Sequence, residues 1–159
     1  MRKTVAVLIA SCLFFALPAP AASAAAAPKL TSYGYGKLKI GQTKAKALKT
    51  GLIKLTGNAG SGCTTFVFKK KPKAASGYLS NKYGVIAIFA AKSMKTPKGI
   101  GLGSTKSAVK KAYPKLTQGP NVYSAPAPGN KTAEYLFLFG PDNKVYEMGL
   151  VHKKQHCFN

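Results

Sequence analysis

The sequence predicts an α+β domain built from two pseudo-repeats, each a short helix followed by antiparallel strands, with the helices on one side of the sheet. Three observations carry that expectation. A Gly-x-Thr helix start occurs at Gly41–Thr43 and returns 62 residues later at Gly103–Thr105. Strand-like apolar runs follow each start, separated by turn residues. A hydrophobic content of 46% is enough for a core even in a chain of 159 residues with a formal net charge of +22.

In Ile40-Gly41-Gln42-Thr43 and Leu102-Gly103-Ser104-Thr105 the threonine hydroxyl is a good N-cap, because it accepts a bond from an amide that the first helical turn leaves unpaired. Ala45, Leu48 and Ile53 would line one side of the first helical segment, and Ala108, Val109, Ala112 and Tyr113 one side of the second. Gly51 stops the first and Pro114 the second. Strands are expected over 63–69, 77–80 and 85–90, with Asn81-Lys82-Tyr83-Gly84 as a hairpin turn. The second set is 122–124, 134–139 and 144–151, with Gly140-Pro141-Asp142-Asn143 as its turn. Leu136 to Phe139 are all large and apolar, as in a strand covered on both faces or nearly so. The units, 33–95 and 99–158, join near Thr96-Pro97-Lys98-Gly99 and are expected to pack as one domain spanning 33–158.

The start of the chain reads as an address. Arg2 and Lys3, an apolar run from Val5 to Leu17, and Ala22-Ser23-Ala24 compose a secretory leader ending at residue 24. A retained anchor is disfavoured because the run is too short to span a bilayer. Ile9-Ala10-Ser11-Cys12 superficially matches a lipid-attachment box, but cleavage there would leave an apolar run, Leu13 to Leu17, at the new N-terminus. Secretion in soluble form is the preferred reading, with 25–32 as a flexible lead-in. Two cysteines then remain, Cys63 and Cys157, and an even pair in an exported chain reads as a disulfide.

Several short motifs resemble known proteins. Leu38-x-Ile40-Gly41-x-Thr43, the run Thr96-Pro97-x-Gly99-Ile100-Gly101-Leu102-Gly103-Ser104-Thr105, Pro128-Gly129-Asn130 and the late Cys157 resemble a group of small secreted proteins of actinobacteria. More loosely, the chain is similar to the tandem-repeat β-lactamase inhibitory proteins of such bacteria, over most of 33–157. That resemblance implies a two-repeat fold and a protein partner. The inhibitors present an acidic hairpin residue to their enzyme and close a disulfide within each repeat. Here no acid precedes Glu134, and the one available bond would span both repeats.

Charge narrows the chemistry. Lys and Arg number 25 against 3 acids, Glu134, Asp142 and Glu147. Paired-carboxylate hydrolysis, carboxylate-held calcium or magnesium, and a Ser-His-Asp triad with an early acid are therefore excluded. His152 and His156 lie four apart but need a further ligand, for which Cys157 and Glu147 are the nearest candidates; they read as surface residues of a basic tail, and no metal or cofactor is expected. A Cys157–His156 nucleophile is disfavoured, since neighbours in a strand point to opposite faces. Gly99-Ile-Gly101-Leu-Gly103-Ser-Thr105 lacks the Gly-Lys-Ser/Thr ending of a nucleotide loop and reads as a tight linker into the second helix.

The lysines are the strongest signal. Lys69, Lys70, Lys71 and Lys73 form the densest cluster, between two predicted strands, and are the expected centre of polyanion contact. With only one arginine the chain lacks the bidentate fork that reads guanine, which argues against sequence-specific nucleic-acid recognition. Tyr33, Tyr35, Tyr78 and Tyr83 are candidate interface residues. The expected function is a non-enzymatic secreted basic protein that associates with an anionic cell-wall polymer or an anionic lipid surface. The alternative is a protein-binding module, an inhibitor-like partner of a secreted enzyme.

Overall fold

The computed structural model describes residues 29–158; the predicted leader, its cleavage site and Cys12 lie outside the described residues. The described part opens on three two-residue strands, β1 (Leu30–Thr31), β2 (Gly34–Tyr35) and β3 (Leu38–Lys39), which form a small antiparallel sheet. Helix α1 (Lys44–Lys49) precedes β4 (Ile53–Gly60), β5 (Cys63–Phe68), β6 (Ser76–Ser80) and β7 (Gly84–Phe89). Helix α2 (Lys106–Ala112) precedes β8 (Thr117–Gln118), β9 (Tyr123–Pro126), β10 (Ala133–Phe139) and β11 (Val145–His152). The last eight strands make one antiparallel sheet in the order β4-β5-β6-β7-β11-β10-β9-β8.

This corrects the expected fold class. The domain is mostly β, with 43% of the described residues in strands and 10% helical, and not an α+β domain of helix-plus-strand pseudo-repeats. Both threonine caps form as expected: Thr43 Oγ1 accepts from the Lys46 amide and Thr105 Oγ1 from the Ala108 amide. The helices they start run only six and seven residues before Gly51 and Pro114 end them. So short a helix cannot cover a sheet face. Only Ala47 of α1 and Val109 of α2 are buried, while Ala45 and Leu48, expected on the packed side, are exposed.

Strands also form where the sequence carries no strand pattern. β4 is an edge strand whose Thr-Gly-Asn-Ala-Gly stretch carries little apolar signal, and cross-strand pairing with β5 makes it extended. Leu30, in the expected flexible lead-in, is fully buried, and its amide donates to the Lys95 carbonyl at 2.9 Å.

Register determines which side chains enter the core. Leu55, Phe66, Gly77, Ile88, Leu150, Tyr135 and Ala125 stand in one row across seven strands. That face is covered by β1–β3, α1, α2 and their connections: Tyr35 meets Phe68 edge-on at 5.6 Å, the Tyr135 hydroxyl donates to the Leu30 carbonyl at 3.0 Å, and Tyr113 packs 5.3 Å from Tyr135. Gly77 is required there, since a Cβ would overlap the Phe66 ring and the Ala87 carbonyl oxygen.

The opposite face is the open one. Its rows hold Val67, Ser76, Phe89, Gly149, Leu136 and Ser124, and beside them Tyr78, Ala87, Val151 and Glu134. The strand expected to be covered on both faces is covered on one: Tyr135 and Phe137 are fully buried, whereas Leu136 and Leu138 are half-buried. Cys63 and Cys157 are joined by a disulfide, 5.7 Å between Cα atoms, which brings the C-terminal tail back to the sheet. Phe158 then lies on the open face against Tyr78 and Phe89, 5.2 and 5.3 Å between ring centres.

Candidate functional site

Among the described residues 23 lysines face three acids, and one ion pair forms, Lys144 to Asp142 at 3.6 Å. Twenty-two of the lysines are exposed. The exception is Lys106, half-buried, its ammonium bonded to the Tyr123 hydroxyl and 4.2 Å above that ring. The lysine positions follow the fold. The eight strands of the large sheet contain three Lys, Asp or Glu residues, Lys54, Glu134 and Glu147, and by register all three point to the open face. The other lysines occupy helices, turns, the small sheet and the tail. Charge and apolar surface are therefore segregated: a half-buried sheet face with a balance of −1, bordered by cationic segments.

Lys69, Lys70, Lys71 and Lys73 all lie in the turn between β5 and β6 and all are exposed. Pro72 among them is buried and tethers the turn, and the Lys69 amide donates to the Leu52 carbonyl at 2.9 Å. The cluster is thus one surface feature on an ordered turn.

The four tyrosines do not form one surface. Tyr35 is 7% exposed and belongs to the core. Tyr33 is 53% exposed and donates to the Gly129 carbonyl at 2.8 Å. Tyr78 sits on the open face under Phe158. Tyr83 stacks on His152, 5.6 Å between rings, beside Lys82 and Lys154. Burial and the Lys154 charge hold the His152 imidazole below its ordinary range, and its Nδ1 accepts from the Lys154 amide at 3.0 Å.

One group with metal-ligand atoms occurs among the described residues: Cys63, His156 and Cys157 lie within 4.8 Å of one another. The sulfurs are bonded to each other, so His156 alone, its Nε2 3.7 Å from Cys63 Sγ, would have to hold an ion. Neither Glu147 nor His152 joins that group.

The sequence reading missed two features. One is the open-face row of Phe89, Leu136, Leu138 and Phe158, whose period-2 signal in 134–139 was masked by apolar residues on both parities. The other is a cleft of about 780 Å³ between the end of α2 and the 125–131 segment, assembled from residues distant in sequence. Compared with family models, curated proteins and solved structures, the chain shows no match.

Proposed function

We propose that this is a secreted, non-enzymatic protein that associates electrostatically with an anionic cell surface, either wall teichoic acid polymers or anionic lipid headgroups. One observation carries the reading: 22 exposed lysines on a domain with three acids and one ion pair among its described residues. So many unneutralised ammonium groups produce a long-range field that attracts any polyphosphate without reading its sequence. The disulfide fits an oxidising compartment, in keeping with the leader expected at 1–24. Lys69, Lys70, Lys71 and Lys73 are the densest contact point, with the other lysines adding a diffuse field.

The test is binding to purified cell wall, with and without teichoic acid, over a salt series. Affinity should fall steeply as the Debye length drops from about 10 Å at 0.1 M to about 3 Å at 1 M. Replacing the four clustered lysines by Gln should lower the log–log salt slope by about 3. Binding that is absent at low salt, or unchanged at 1 M, sinks the proposal.

The open sheet face favours a second reading, a protein-binding module that partners a secreted enzyme. Half-buried Tyr78, Phe89, Leu136, Leu138 and Phe158 there resemble the apolar centre of an interface, with few charges to desolvate. A stoichiometric protein partner recovered from culture supernatant, and lost on Leu136→Asp, would favour this reading over polymer binding.

A further inference from the structure

The cleft of about 780 Å³ at the end of α2 combines an apolar floor with a cationic rim. Its apolar surface comes from the exposed rings of Pro114, Pro126 and Pro128, while Ala125 and Ala127 are 1% and 3% exposed. Four lysines line it, Lys98, Lys115, Lys131 and Lys153, and none of the three acids does. The walls are tied down rather than loose. Gly129 accepts from the Tyr33 hydroxyl, the Asn130 side chain donates to the Ser32 carbonyl at 2.8 Å, and Lys98 Nζ donates to the Ala112 carbonyl at 2.6 Å.

We propose that this cleft binds a single-chain anionic amphiphile, with its hydrocarbon chain on the proline rings and its head among the lysines. The volume lies within the range of about 300–1,000 Å³ usual for small-molecule sites. Charge complementarity selects the head: four ammonium groups repel a cation and attract a carboxylate or phosphate. The floor selects the tail. Tyr113, the only aromatic residue lining the cleft, is 4% exposed, so the surface gives contact to a flexible chain and little ring face for stacking. This site is separate from the Lys69–Lys73 turn and does not rest on polymer binding.

Dodecanoate, kept below its micelle-forming concentration, is the probe, followed by amide chemical shifts of the folded, disulfide-bonded protein. Saturable shifts are expected at Ala125, Ala127 and Asn130. Acetate should not reproduce them, and dodecyltrimethylammonium should bind far more weakly. Replacing Lys98, Lys131 and Lys153 by Gln should weaken dodecanoate about tenfold, whereas the four-Gln variant at 69–73 should bind it as the native protein does. Equal binding of the cationic analogue, shifts spread over Phe89, Leu136 and Leu138, or no shifts at all would overturn the proposal. Because cell-wall binding is measured separately, either idea can fail while the other stands.

Discussion

Replacing both Cys63 and Cys157 by Ser opens a closure across 94 residues, about three quarters of the described chain. The chain-entropy relation makes that loop worth about 4.7 kcal/mol at 25 °C through the freedom it removes from the unfolded chain. A domain of this size has a total stability on the order of 5–15 kcal/mol, so the loss is a large share of it. Burial adds to the effect, because Cys63 is 1% exposed and a serine hydroxyl there has lost its water. With a urea m-value of about 2 kcal/mol/M, the unfolding midpoint should fall by about 2 M. The assay is urea unfolding of three samples: oxidised native protein, native protein under reductant, and the double variant. Reduced and double-variant samples should coincide within the cost of the serine hydroxyls, and Tyr78 and Phe89 should become more accessible as Phe158 leaves the open face. If both samples stay within about 1 kcal/mol of the oxidised protein, the entropic argument is refuted for this fold.

Two further outcomes follow from local geometry. His152 has its folded-state pKa lowered, chiefly by burial and then by Lys154, so the unfolded chain binds more protons. Its contribution is complete above about pH 6.5 and is lost as pH falls from there through the depressed folded value. Urea midpoints measured at about pH 8 and about pH 5 should differ less in His152→Gln than in the native protein; an unchanged difference refutes the assignment. Gly77→Ala forces a methyl into the Phe66 ring and the Ala87 carbonyl and should cost about 2 kcal/mol or more. An alanine variant that unfolds within 0.5 kcal/mol of the native protein, on the order of a neutral surface change, would show that the row relaxes.

Local signals in the sequence determined a good deal. Thr43 and Thr105 cap helices because the cap needs only an oxygen placed before the first turn, and Gly51 and Pro114 stop them for reasons equally local. The turns at 81–84 and 140–143, and the strands they join, were legible within a residue or two for the same reason. With Cys12 assigned to the expected leader, each remaining cysteine had one possible partner, and the structure joins those two. What the sequence did not carry was the balance between layers. Two helices of six and seven residues satisfy the helix signals yet leave a sheet of eight strands as the body of the protein, and β4 exists because β5 supplies its bonding partner. The surfaces were the least legible. Lysines recur along the whole chain, and only strand register shows Lys54, Glu134 and Glu147 on the open face with the other lysines outside the large sheet. Tyr33 and Tyr35 are two residues apart, yet one is 53% exposed and the other packs against Phe68, because the small sheet folds over one face and not the other. The cleft draws residues from 98, from 113–115, from 125–131 and from 153. Such a site depends on distances between segments, and those are set when the core closes rather than by any local preference of the chain.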